Sequence, residues 1–372
     1  MGARATRARV TDPDVVIVGA GQSGLALGHF LARLRGDVDR GRRQSAPTFA
    51  LLDERDEPGG AWPDGWDSLR LFSPASMSSL PGWPMPPSTD QGTPSASHVA
   101  AYLAAYEARY DLPVHRPEHV LTVARSGEGF LVTTDLRQLT SRIVVMAGGT
   151  WGRPFVPVLP GIEAFAGRQL HASGYRNPDD LVGQKVLVVG AGNSAAQIAA
   201  DLAPTTDTTW VTREPPRYLP DDVDGRALFQ LATQHVAGAG RGVGALGDIV
   251  VTPPVHATRA AGLLKARRLF EQFTEDGVIW SGGDAEHFDA VIWCTGFHPD
   301  LRPVLGLTAG HEAEAPATTD ELPTESADVP GLFFLGYGDW CGTASATLVG
   351  VGAPARATAR RIDELLHRHA SM

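Results

Sequence analysis

Cysteine is nearly absent: the 372 residues contain two, Cys294 and Cys341, far apart and in no Cys-x-x-Cys arrangement. A redox-active disulfide of the thioredoxin-reductase kind needs two close thiols, so these read as buried or semi-buried free thiols. Metal-ligand spacing is missing as well, because the 12 histidines are scattered and form no set with cysteine or carboxylate. Long apolar runs are also absent. The first apolar stretch, Val15–Val18, is far too short for a membrane span or a secretory leader. Excess positive charge is missing too: the formal net charge of −10 argues against nucleic acid or an anionic membrane as the main partner. The opening Met1-Gly2-Ala3-Arg4-Ala5-Thr6 formally fits a myristoylation pattern, which a loose Arg/Ala-rich tail explains as well. These exclusions leave the cytoplasm as the expected location and a small molecule as the expected partner.

Glycine, by contrast, is abundant, with 42 residues, and 43% hydrophobic and 20% charged residues make an ordinary globular composition. The length suits two domains, each with its own core. Two glycine-rich turns stand far apart. One closes the apolar run after Asp14 with Gly19-Ala20-Gly21-Gln22-Ser23-Gly24; the other follows Lys185-Val186-Leu187-Val188-Val189 with Gly190-Ala191-Gly192-Asn193-Ser194-Ala195. In such a turn the first glycine makes the tight bend and the second lets the backbone approach a pyrophosphate. The third position packs helix against strand and need only be small, so Ala195 is allowed. A lone turn of this kind is a weak signal. Here each follows a strand-like run and precedes a helical stretch. Two of them predict two dinucleotides in one chain, and an enzyme holding two passes electrons between them. A flavin reduced by a nicotinamide is the expected pairing.

The strand after each turn indicates which nucleotide it suits. Residues 48–53 end in Asp53, with Glu54 as the adjacent alternative; a carboxylate there accepts ribose hydroxyls and repels a 2′-phosphate, which suits FAD. Residues 209–213 end in Thr212-Arg213 with no carboxylate. Arg213, with Arg217 nearby, suits the 2′-phosphate of NADPH; the alternative is a plain surface charge beside Glu214. Gly19, Gly21, Gly24 and Asp53 are therefore assigned to FAD, and Gly190, Gly192, Asn193, Ser194 and Arg213 to NADPH.

The pattern between the turns predicts an α/β protein with two doubly wound, Rossmann-like dinucleotide-binding domains, the second inserted into the first. The expected FAD domain covers 1–165 and 286–372. The expected NADPH domain covers 166–285, with an irregular or helical insertion at about 215–273. A first helix is expected from 24 to about 35, followed by a polar surface loop over 36–47. Ser97 is expected to cap a helix that carries Val99, Tyr102, Leu103 and Tyr106 on one face. Runs at 120–123, 130–134 and 142–147 read as an antiparallel meander, 258–270 as a helix whose basic face is solvated or contacts cofactor phosphate, and a final helix begins at about 344.

The combined pattern resembles the class B flavin-containing monooxygenases over nearly the whole chain. Phe165-x-Gly167-x-x-x-His171-x-x-x-Tyr175 matches that class's identifying motif, with the aromatic ending of its N- and S-oxygenating members. Gly59-Gly60-Ala61-Trp62 resembles the second flavin segment. Cys294-Thr295-Gly296-Phe297 and Ala147-Gly148-Gly149 resemble the linkers, with Gly148 in place of threonine. Residues 66–75, 80–86 and 338–347 are similar to the ArsO-type enzymes of arsenic-resistance operons. The resemblance implies Gly60, Trp62 and Asp339 at the flavin, with Trp340 a candidate to line the pocket. It places His171 at the hinge between domains, with a hydrogen-bonded structural histidine as the equal alternative. Eukaryotic-type members carry an asparagine near the flavin where this chain has Phe72, so Ser73 or bound NADP must supply that hydrogen bond. The implied activity is NADPH- and FAD-dependent insertion of one oxygen atom from O2, through a C4a-peroxyflavin, into sulfur, nitrogen or a trivalent arsenical. The flavin carries the chemistry. Phe72, Ser73 and His171 are the only protein candidates, and no metal is expected. Two alternatives stay open: an NAD(P)H-dependent flavin oxidase or reductase that releases hydrogen peroxide, and a non-catalytic dinucleotide-binding redox sensor. Oligomeric state is not fixed by the sequence, and a homodimer is compatible with it.

Overall fold

The computed structural model describes residues 12–88, 92–221, 249–308 and 315–370. In chain order the elements begin β1 (Val15–Val18), α1 (Gln22–Asp39), β2 (Phe49–Leu52), α2 (Ala96–Arg109), β3 (Val114–His115), β4 (Val120–Ser126), β5 (Gly129–Thr134), β6 (Gln138–Ser141) and β7 (Ile143–Met146). They continue with β8 (Arg168–His171), β9 (Lys185–Val189), α3 (Asn193–Leu202), β10 (Asp207–Thr212), α4 (Pro253–Ala260), β11 (Ala266–Arg268), β12 (Gln272–Phe273) and β13 (Gly277–Ile279). β14 (Ala285–His287), β15 (Ala290–Trp293), β16 (Leu332–Phe334) and α5 (Gly352–Ala370) complete the order.

Two five-stranded parallel sheets carry the architecture, ordered β16-β7-β1-β2-β3 and β11-β10-β9-β15-β8. Both are Rossmann-like, and the second sheet's strands lie in sequence between β7 and β16 of the first. β1, β7, β9 and β15 read as continuous apolar runs because both faces of each strand are covered. In the first sheet Val15, Ile17, Val145 and Phe333 pack against α1, α2 and α5. The alternate residues Val16, Val144, Met146 and Phe334 pack against the antiparallel sheet β4-β5-β6. In the second sheet Val186, Val188 and Ile292 face α3 and α4, while Leu187, Val291 and Trp293 meet Phe165, Phe273 and Trp280. Such burial stabilises by roughly 1.5–3 kcal/mol per large side chain. It holds both sheets rigid beneath the turns at their C-terminal ends.

Several boundaries depart from the sequence reading for identifiable reasons. α1 runs to Asp39 instead of ending near 35, because Asp37 pairs with Arg40 and Arg42 and makes the polar stretch a solvated last turn. The cap of α2 is Ser95, whose hydroxyl accepts from the His98 amide at 3.3 Å, and not Ser97. The meander's third strand is β6; β7 instead runs in parallel beside β1. The expected helix over 258–270 stops at Ala260. Gly262 takes a left-handed φ of +75°, and the chain then forms β11 beside β10. The final helix starts at Gly352, since Ala344 holds φ of +54° in a turn. The myristoylation pattern and the centre of the 215–273 insertion lie outside the described residues. Among the described residues no helix is long and apolar enough to cross a membrane.

His29 of α1 gives the fold a pH dependence. It is 3% exposed, neither ring nitrogen has a hydrogen-bond partner, and Phe30, Tyr106 and Tyr110 surround it. Burial, reinforced by Arg33, pulls its pKa from 6.5 to about 4. Folding therefore favours the neutral ring, and the unfolded chain binds the extra proton. Stability is full above about pH 6.5 and declines as pH falls towards 4, by on the order of 3 kcal/mol in all. Melting temperatures measured from pH 7 to 4 should show this slope, and His29→Phe should flatten it. An unchanged slope in that variant would place the acid lability elsewhere.

Candidate functional site

The first glycine turn is built by close backbone contacts. Gly19 holds φ of +102°, and a Cβ there would lie 2.7 Å from the Ala147 carbonyl oxygen. A Cβ on Gly24 would lie 2.0 Å from the Gly19 oxygen, which is the tight helix-on-strand packing the motif requires. Gly21 is different: its Cβ would meet only the Gly60 Cα, at 3.8 Å. The second turn repeats the division, with Gly190 pressed on the Cys294 carbonyl and Gly192 open within 4 Å. α1 and α3 start from Gly21 and Gly192 with no side-chain cap, whereas α2 is capped by Ser95. The first amides of α1 and α3 are thus left for an external acceptor, at the positive end of each helix dipole.

Both uncapped starts border one cavity of about 530 Å³. Its wall combines Gly19, Gly21 and Gln22 with Asp53, Glu54, Gly60, Trp62 and Phe72, and on the far side Asn193 and Ser194. Asp53 is 5% exposed; its two oxygens accept the Ala20 and Arg55 amides, each at 3.0 Å, with Arg116 at 3.6 Å. Glu54 is exposed and lies 3.6 Å from His119. The Asn193 side-chain oxygen accepts the Val250 amide at 2.8 Å, which ties the start of α3 to residue 250.

Other expected residues stand away from the cavity. The Ser73 hydroxyl is 2.8 Å from that of Ser78 and is not on the wall. Asp339 is exposed and accepts the Ala344 amide at 3.1 Å, and Gly336 and Tyr337 of the same loop are on the wall. Trp340 packs on Phe334 and Tyr337 instead of lining the cavity. His171 is also off the wall. Its Nδ1 accepts the Ser173 amide at 3.1 Å, so the proton sits on Nε2, which donates to the Gly296 carbonyl at 3.0 Å. Burial lowers its pKa against the opposing pull of that carbonyl, keeping the ring neutral. Gly296 also receives the Phe155 amide, and Trp151 stacks on Phe297, so the two linkers form one antiparallel ribbon clasped by His171.

Tyr175 closes the 165–175 motif by a different route. It is 1% exposed, and its hydroxyl donates to Asp201 of α3 at 2.8 Å. Tyr175→Phe should cost about 1.5–3 kcal/mol, the value of a hydrogen bond to a charged acceptor. A melting temperature unchanged from wild type would show that the bond is not made in solution.

Arg213 follows β10 and is exposed. The register Thr212↔Arg268 sets a second exposed arginine at the end of the neighbouring strand, on the rim that also carries the Gly190 turn. In the sequence Arg268 belongs to the basic face expected of a helix over 258–270; here it ends a strand, and Gly262 is the signal against that helix. Both cysteines are free and burial pushes both thiols up, which keeps them protonated.

Paired glycine turns opening uncapped helices onto one cavity define the flavoprotein oxidoreductases that also use a pyridine nucleotide. Residues 71–224 match the family model described as pyridine nucleotide-disulphide oxidoreductase. A flavin-containing monooxygenase from Stenotrophomonas maltophilia superposes with a TM-score of 0.85 at 41% identity, covering 96% of this chain and 100% of that one. An uncharacterized oxidoreductase CzcO-like of Geobacillus kaustophilus is 29% identical, covering 92% of this chain and 96% of its own length. Indole-3-pyruvate monooxygenase YUCCA4 of Oryza sativa is 28% identical over 78% of this chain and 75% of its own. The chain belongs to the flavin-containing monooxygenases. It is a flavin-dependent oxidoreductase acting on O2 and a small molecule.

Proposed function

We propose that this protein is an NADPH- and FAD-dependent monooxygenase that transfers one oxygen atom from O2 to a soft nucleophile: sulfur, nitrogen or a trivalent arsenical. The observation that carries the reading is the single cavity bordered by both uncapped helix starts. The donor set fits FAD. The amides opening α1 suit the pyrophosphate, Asp53 or Glu54 suits the ribose, and Gly60 and Trp62 suit the ring side. Gly190, Gly192 and the backbone of Asn193 and Ser194 suit the pyrophosphate of NADPH, with Arg213 and Arg268 towards its 2′-phosphate. Bound FAD would supply the redox and oxygen-transfer chemistry, with the nicotinamide as its reductant. The chain's own residues orient and dry the site: Trp62, Trp66, Leu71 and Phe72 give the cavity an apolar wall. His171 acts through the linker ribbon as a positioning residue.

The FAD domain is assigned to 1–165 and 286–372 and the NADPH domain to 166–285, in a cytoplasmic protein for which a homodimer is compatible. The arsenical option rests on the resemblance of 66–75, 80–86 and 338–347. A second reading, a peroxide-releasing oxidase, is favoured by Phe72, which lines the cavity yet offers no hydrogen bond. Peroxide formed per NADPH consumed separates the two. In a monooxygenase the ratio falls well below one when a thioether, amine or arsenite is added; in an oxidase it stays at one.

A further inference from the structure

Gln22 opens α1 and stands on the cavity wall. Its Oε1 accepts the indole N–H of Trp62 at 3.3 Å, and its Nε2 donates to the Ala346 carbonyl at 2.7 Å. An indole N–H can only donate and a carbonyl can only accept, so the two contacts fix which end of the amide is which. The second N–H on Nε2 takes no partner among the described residues. Trp62 and Ala346 are themselves on the wall. One side chain therefore ties the first turn, the 59–62 segment and the C-terminal loop together, with a donor left over at the cavity.

We infer that the remaining amide N–H of Gln22 is the protein's hydrogen-bond donor to the flavin ring, oriented by Trp62 and Ala346. The inference rests on the proposed reading of this cavity as the FAD site. The acceptors of a flavin lie on the polar half of its ring and gain negative charge on reduction. A donor held there binds the reduced form more tightly than the oxidised form, since hydrogen bonds to charged acceptors are the stronger ones. A contact to phosphate or to the ribityl chain would strengthen both forms alike.

The test compares the FAD-loaded wild type with Gln22→Leu and Trp62→Phe, measuring FAD affinity by fluorescence and the midpoint potential by dye equilibration. Gln22→Leu should weaken reduced FAD about tenfold more than oxidised FAD, a shift of about 30 mV to more negative potential. Trp62→Phe keeps the donor but frees the amide to turn, and should give a smaller shift in the same direction. A changed affinity with an unchanged potential would overturn the inference, because the donor would then meet another part of the cofactor. If Gln22→Leu does not retain FAD, Trp62→Phe is judged by the same criterion. A wild type that binds no FAD would overturn the reading of the cavity itself, an outcome distinct from a failure at Gln22.

Discussion

Replacing Gly21 with valine is expected to leave a folded protein that no longer retains FAD. Gly21 has φ of −77° and ψ of −169°, an extended conformation open to any residue. A Cβ there makes only an ordinary contact, 3.8 Å from the Gly60 Cα. The fold therefore tolerates the side chain. The phosphate does not, because the isopropyl group occupies the approach to the amides that open α1. Losing two hydrogen bonds to a charged group, at about 1.5–3 kcal/mol each, corresponds to at least roughly a hundredfold in affinity. Gly24→Val is the contrast: its Cβ would sit 2.0 Å from the Gly19 oxygen, so that variant should fail to fold. Flavin content and a melting curve check both. A Gly21→Val protein with stoichiometric FAD would show that the first turn does not carry the flavin.

Arg213→Ala should raise KM for NADPH about ten- to a hundredfold and leave KM for NADH nearly unchanged. The 2′-phosphate is the only difference between the two cofactors, and a charge-assisted contact to it is worth on the order of 1.5–3 kcal/mol. Arg268→Ala should act in the same direction, since β11 sets it beside Thr212. Steady-state kinetics with both nucleotides decide the point. Equal effects on NADPH and NADH would show that the arginines do not read the phosphate.

How much was legible in the sequence follows from what each signal depends on. The glycine turns were readable because backbone sterics force residue identity at fixed spacing, as at Gly19 and Gly24. The parallel sheets were readable from runs such as Lys185–Val189, whose last four residues are buried. β7 is expected in the meander as an alternating run, yet Ile143-Val144-Val145-Met146 carries no alternation, the mark of a strand covered on both faces. Arg268 reads only as part of a basic helix face because the pairing of β11 with β10 is a long-range fact with no local mark. The resemblance implies Asp339 and Trp340 at the flavin; Gly336 and Tyr337 of the same loop line the cavity, a placement that depends on the turn geometry of 336–345 and not on any local motif. Gln22 carries no mark of its own in the motif, since its partners Trp62 and Ala346 meet it only in three dimensions.

In the proposed reaction NADPH and the substrate together reduce O2, one oxygen atom entering the product and the other leaving as water. The most direct measurement is turnover under ¹⁸O₂ with a thioether, an amine and a trivalent arsenical, followed by mass spectrometry. One labelled oxygen atom is expected in the product of at least one of these classes, with NADPH and O2 consumed together and peroxide falling. No label in any of them or in a wider panel of nucleophiles, with peroxide equal to NADPH consumed, would contradict it and leave the oxidase reading in its place.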